Sequence, residues 1–125
     1  MIGGNLTVLA SLMGTPWALD TRGAIVLLED VAEHPYRLER ALCQLLDAGG
    51  LRGAAAIALG DFYRCRPDSG AYTLGDVFKE HLEPLGIPVI FGLPVGHSVH
   101  NYAFVHGARG VLDSAGITFS PAQAG

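Results

Sequence analysis

The sequence predicts an α/β domain with at least one mixed sheet and helices packed on it. Three observations carry this expectation. Continuously apolar runs at residues 24–28, 54–59 and 87–91 read as strands covered on both faces, where apolar/polar alternation is lost. Between the first two runs, apolar residues recur with helical spacing. Beyond Phe91 the pattern changes to short strands separated by glycine turns.

At 125 residues the chain has the length of one domain, so residues 1–125 are read as a single unit. Taken in order, Gly3-Gly4-Asn5 opens a short helix over residues 6–13, with Asn5 or Gly4 as cap and Gly14 and Pro16 at its end. A helix so close to Met1 is natural if Gly3-Gly4 ends a linker from an upstream segment. Trp17-Ala18-Leu19 reads as extended and Asp20-Thr21-Arg22-Gly23 as a turn. The run 24–28 is a strand that leads directly into two carboxylates, Glu29 and Asp30. Pro35 suits a first helical position, and Leu38, Ala41, Leu42, Leu45 and Leu46 then form one apolar stripe until Gly49-Gly50 stops it.

Residues 54–59 form the next strand, ending at Gly60-Asp61-Phe62, and residues 63–71 read as an exposed loop. Thr73 and Asp76, three apart, have the capping-box pattern for a helix through Leu82. Pro84 and Gly86 separate it from the strand at 87–91. Residues 102–105, 109–112 and 117–119 are short strands, and residues 121–125 a frayed end.

Composition excludes several classes. Half the residues are hydrophobic and only 16% are charged, an apolar balance that suits a surface meeting another domain or subunit. No apolar run reaches the roughly 18 residues of a membrane span. The net charge of −4, with eight scattered basic residues, is no nucleic-acid footprint. Met1 is followed by no basic segment or cleavage site, so no signal peptide is expected and a reducing cytoplasmic setting is the default. Cys43 and Cys65 have no metal-type spacing, and Cys43 reads as a small buried residue in a helix.

Residues 92–101, Gly-Leu-Pro-Val-Gly-His-Ser-Val-His-Asn, carry the chemistry. A loop leaving a rigid strand holds His97, an imidazole able to take up and release a proton. Glu29 stands at the end of another strand. In a parallel sheet the carboxyl ends of strands share one edge, where ligand crevices form. A carboxylate bonded to one imidazole nitrogen orients the ring and leaves the other nitrogen to take a proton, so Glu29 and His97 form a candidate catalytic pair. The bland alternatives are a hydrogen-bonded loop histidine and carboxylates that cap the next turn. His97, His100 and His106 have no strong metal spacing. Ser11, Ser69, Ser98, Ser114 and Ser120 lie in no nucleophile elbow, and Ser98 points away from its neighbour His97 on an extended segment. A base and its orienter are present without a nucleophile.

Gly-Gly-Asn-Leu at 3–6, Leu-Met-Gly-Thr-Pro at 12–16, Leu-Glu-Asp-Val-Ala-Glu-His-Pro-Tyr-Arg at 28–37 and Gly-Leu-Pro-Val-Gly-His at 92–97 occur in that order. Together they resemble the C-terminal domain of LD-carboxypeptidases, the muramoyltetrapeptide carboxypeptidases, whose family includes enzymes that cleave microcin C. The resemblance implies a swivelling β/β/α-type domain and a Ser-His-Glu triad whose histidine and glutamate are His97 and Glu29. It implies that the serine and the oxyanion hole belong to an N-terminal domain absent from this chain. The complete enzyme is then expected to release terminal D-Ala from murein tetrapeptides by cutting an L,D bond. It would act in the cytoplasm during cell-wall recycling, without metal or other cofactor, commonly as a homodimer. Arg64, Arg66, His100 and Asn101 are candidates to line the substrate pocket. The chain alone is expected to be inactive. The alternative is a non-catalytic interaction domain that associates through its exposed inter-domain face.

Overall fold

The structure, a computed structural model, describes residues 1–66 and 72–119. Four parallel strands form the central sheet in the order β1 (Ile2–Asn5), β2 (Ile25–Val31), β3 (Ala56–Tyr63) and β4 (Val89–Ile90). Helices α1 (Leu6–Ser11), α2 (Pro35–Asp47) and α3 (Leu74–Leu82) connect them, with a 3₁₀ turn at Glu83–Leu85. The tail adds an antiparallel hairpin, β5 (Gly110–Asp113) with β6 (Gly116–Phe119). The α/β class holds, with parallel and antiparallel pairings divided between two sheets.

Each parallel strand sits beside its predecessor. Crossovers of uniform hand between adjacent strands place their helices on one face of the sheet. That is the arrangement seen: Leu6 and Ala10 of α1, Leu38, Leu42 and Leu45 of α2, and Val77, Phe78 and Leu82 of α3 pack with Val26, Leu28, Ile57 and Leu59. The opposite face carries Ile25, Leu27, Ala56 and Ala58, covered by Leu93, Val95, Phe104, Leu112 and Ile117. Hairpin, sheet and helices therefore stack as three layers, in agreement with a β/β/α domain.

The expected helix stripe on α2 is buried at Leu38, Ala41, Leu42 and Leu45, with Pro35 at its start. The capping box of α3 is formed in both directions: Asp76 N–H donates to the Thr73 hydroxyl at 3.2 Å, and Thr73 N–H donates to the Asp76 carboxylate at 2.8 Å.

Five expectations differ from the structure. Gly3-Gly4-Asn5 forms an edge strand, its backbone pairing with residues 27–29 of β2, and Asn5 at the end of that strand caps the following helix as expected, its side chain accepting from Val8 N at 3.0 Å. Gly3 has φ +124°, and a Cβ there would lie 2.1 Å from the Leu27 carbonyl oxygen, so glycine is required by close approach. The helix that follows stops at Ser11. Residues 102–105 are not a strand, and residues 17–19 form a turn and irregular backbone. The loop expected at 63–71 begins later, since β3 runs through Tyr63 and Cys65 is buried. The rest of that loop, residues 67–71, and the expected frayed end lie outside the described residues.

Among the described residues, no helix is long and apolar enough to cross a membrane.

Candidate active site

Strand β2 does not end before its carboxylates; it carries them. Side chains alternate along a strand, so Glu29 follows Ile25 and Leu27 onto the hairpin face, while Asp30 follows Val26 and Leu28 toward the helices. A register irregularity between Leu28 and Asp30 leaves Glu29 without a partner on β3, and the ladder resumes at Asp30 opposite Phe62. Both are buried, Glu29 at 6% exposure and Asp30 at 2%.

Their roles separate accordingly. Asp30 accepts hydrogen bonds from Asn5 Nδ2 (2.9 Å), Thr7 N (3.0 Å), Thr7 Oγ1 (2.8 Å) and Val31 N (2.8 Å). It holds the start of α1 against the sheet, a structural task. Glu29 reaches the other way, and its Oε2 lies 2.7 Å from His97 Nδ1. An ionised carboxylate can only accept, so Nδ1–H donates and Nε2 is left with its lone pair. The imidazole is half-exposed, so the free nitrogen is open to a proton donor while its orienting partner is shielded.

Two glycines let this pair meet. The segment leaving β4 folds back over β3: Leu93 N–H donates to Leu59 O at 3.1 Å, and Asp61 N–H donates to Val95 O at 2.8 Å. A Cβ on Gly60 would stand 2.4 Å from Val95 O and 3.1 Å from Glu29 Cβ. Gly96 has φ +148°, and its Cβ would meet Asp61 O at 2.8 Å and Glu29 Oε2 at 3.2 Å. Any side chain at either position would push the histidine loop off the carboxylate. Two further bonds tie the loop: Asn101 Oδ1 accepts from Gly96 N at 3.1 Å, and Tyr102 N donates to Pro94 O at 2.8 Å.

A cavity of about 290 Å³ opens beside the pair, lined by Gly60, Asp61, Tyr63, Pro94, Ser98 and His100 among others. Of the residues expected to line a pocket, His100 does so. Asn101 instead fixes the turn before His97. Arg64 is exposed, in a left-handed conformation (φ +59°), with its guanidinium 5.0 Å from the centre of the Tyr63 ring. Arg66 is exposed and is not part of the lining.

Two residues went unnoticed in the sequence. Gly60 was detectable, since glycine inside a strand pattern signals close backbone approach. Asp61 lines the cavity, and its Oδ2 is buried with no hydrogen-bond partner among the described residues; a lone aspartate after a strand carries no signal of this.

The serines do not complete the pair. Ser98 Oγ donates to His100 O at 3.2 Å and Ser11 Oγ to Val8 O at 2.7 Å. Ser69 and Ser120 lie outside the described residues. Neither thiol is activated: burial, the leading cause for each, pushes both Cys43 and Cys65 above the usual thiol range. Among the described residues, His97, His100 and His106 do not converge on one point; His106 Nε2 accepts from Gly3 N at 3.4 Å.

Comparison with known proteins places this geometry. The family model described as the LD-carboxypeptidase C-terminal domain matches residues 1–112. The murein tetrapeptide carboxypeptidase of Pseudomonas aeruginosa is 42% identical over 114 residues, which cover 90% of this chain and 37% of that protein. The crystal structure of muramoyltetrapeptide carboxypeptidase from Oxalobacter formigenes superposes with a TM-score of 0.80 at 37% identity, over 97% of this chain and 41% of that one. The structure of MccF in complex with glutamyl sulfamoyl guanosine superposes with a TM-score of 0.68 at 29% identity, over 77% of this chain and 29% of that one. The chain spans about two-fifths of the length of the curated relatives it matches. With a family match over residues 1–112 and a shared backbone over nearly its whole length, the chain belongs to the LD-carboxypeptidase family, as its C-terminal domain.

Proposed function

We propose that this chain is the histidine- and glutamate-bearing domain of a serine LD-carboxypeptidase that releases terminal D-alanine from murein tetrapeptides in the cytoplasm. The observation that carries this reading is the 2.7 Å contact of His97 Nδ1 with the buried Glu29. The names of the relatives support the substrate class, and their greater length supports a divided site whose serine and oxyanion hole come from outside this chain.

Chemically, Nε2 of His97 takes the proton of the incoming serine as its oxygen attacks the scissile carbonyl. Glu29 holds the tautomer that makes Nε2 basic and stabilises the imidazolium that forms. The imidazolium then gives its proton to the departing amine of D-alanine, and a second cycle with water frees the acyl group. Each step uses one nitrogen that must be reachable and one that must be fixed, which matches the half-exposed ring over a buried carboxylate.

Exposed apolar side chains flank the pair. Phe91, Val99, Tyr102 and Val105 are each more than half exposed. An apolar rim around a polar site is what a covering domain needs, and it equally supports association of the chain in a homodimer.

Incubating the purified 125-residue chain with murein tetrapeptide tests the divided site. The expected result is no D-alanine release by mass spectrometry, since a triad without its nucleophile loses several orders of magnitude in rate. Measurable release that disappears in Ser98→Ala would contradict the reading and place the nucleophile within this chain.

A further inference from the structure

One buried polar atom of the site has no task in the proton transfer. Asp61 Oδ2 is buried and meets no hydrogen-bond donor among the described residues. Strand β3 turns this side chain toward the Glu29–His97 pair by carrying one extra residue. Leu28 pairs with Leu59 and Asp30 with Phe62, so Gly60 and Asp61 together stand across from the single Glu29. Such a bulge re-aims the side chains around it, and bulges gather beside functional sites. Phe62 accordingly returns to the helix face and packs against the core there, while Asp61 stays on the side of Glu29. The point that a Gly96 Cβ would occupy lies 3.1 Å from Asp61 Cβ and 3.2 Å from Glu29 Oε2. Two carboxylate side chains therefore flank the glycine that precedes His97.

We propose that Asp61 is a specificity residue, whose carboxylate accepts from a protonated amine on the side chain of the substrate residue that supplies the scissile carbonyl. This inference rests on the carboxypeptidase reading and deepens it. A carboxylate oxygen withdrawn from water without a donor is costly, and a cationic donor offsets that cost most strongly. Neighbouring cations of the chain are otherwise engaged. The Arg64 guanidinium lies over the Tyr63 ring, 5.0 Å from its centre, and His97 Nδ1 is committed to Glu29. The cavity that Asp61 lines suits an alkyl amine. Leu93 and Pro94 give it apolar wall for methylene groups, and Asp61, Ser98 and His100 give it polar wall for a head group. Charge decides which side of the bond lies here. The departing D-alanine carries its own carboxylate, which Asp61 repels, so the cavity takes the side chain on the acyl side. In a murein tetrapeptide that residue is a diamino acid with one amine left free.

The test uses the complete protein with muramoyl tetrapeptide, whose only free amine is on that side chain, and with the same compound acetylated at the amine. D-alanine release gives kcat/KM for each. Acetylation is expected to lower the wild-type value at least about tenfold, the loss of one charge-assisted hydrogen bond. Asp61→Asn, confirmed folded by circular dichroism, should lose as much on the free amine and little on the acetylated substrate. Asp61→Glu should recover part of that loss. A purely structural role would lower both substrates alike in Asp61→Asn. Equal loss on the two substrates, loss on neither, or a wild-type value unchanged by acetylation would each overturn the proposal, and the last of these needs no variant to fold. Absence of release from the free-amine substrate by the wild type would instead contradict the carboxypeptidase reading, and this inference with it.

Discussion

Glu29 gains its role from where the pleat turns it. One position later, Asp30 faces the helices and accepts four hydrogen bonds, three of them from Asn5 and Thr7 at the start of α1 and one from Val31 N of its own strand. Glu29 faces the hairpin layer, buried, with His97 as its hydrogen-bond partner there. The same alternation puts Ala56, Ala58 and Gly60 of β3 on that face, and small residues there allow the 93–97 segment to lie close. Gly60→Ala is therefore expected to act at a distance of one bond. Its Cβ would sit 2.4 Å from Val95 O, so the loop must move, at a cost of about 1–3 kcal/mol for overpacking. Denaturant unfolding should show that loss, and the His97 Nδ1 proton resonance should lose the downfield shift of a short carboxylate bond. A variant with unchanged stability and an unchanged imidazole resonance would contradict the role given to this glycine. The pair itself was legible in the sequence, because each residue lies just beyond a continuously apolar run. The glycines that seat it were less so, since their clashes depend on a chain reversal that no local pattern specifies.

Among the elements, α2 and α3 were the plainest in the sequence because their signals are local. A Pro at the first turn, an apolar stripe and a capping box need nothing beyond the segment itself. Thr73→Ala removes the hydroxyl cap of α3 and is expected to cost about 1 kcal/mol at neutral pH. The box also sets a pH dependence. The Thr73 hydroxyl, then its backbone N–H, hold the Asp76 carboxyl below its ordinary value of 3.8. A carboxyl lowered in the folded state stabilises above its unfolded value and loses that contribution as pH falls through the folded one. The stability gap between wild type and Asp76→Ala should thus be constant near neutrality and close under acid, below the ordinary value. A gap that persists unchanged at the acid end would show that the carboxylate form is not what caps the helix. Strand β1 was illegible for the opposite reason. Gly3-Gly4 has no strand propensity, and its place in the sheet comes from parallel pairing with residues some two dozen positions away. Residues 102–105 erred the other way: an apolar run with strand character finds no ladder partner, and its Phe104 packs on the sheet while Tyr102 and Val105 stay exposed.

For the whole molecule, the layering explains both the apolar composition and the position of the site. Helices occupy one face of the sheet, so the dyad opens on the other, beneath a loop and a short hairpin that leave Phe91, Val99, Tyr102 and Val105 exposed. Light scattering at high concentration is expected to show self-association through this rim; a clean monomer throughout would argue against a covering partner there. The central claim remains chemical, and the complete protein tests it. D-alanine release from murein tetrapeptide should be measured for the wild type and for His97→Ala and Glu29→Gln variants matched for folding. The expected result is a loss of at least about a thousandfold for His97→Ala, and for Glu29→Gln a loss approaching the roughly 10⁴-fold seen when a triad's orienting acid becomes an amide. Near-normal release by His97→Ala would contradict the account.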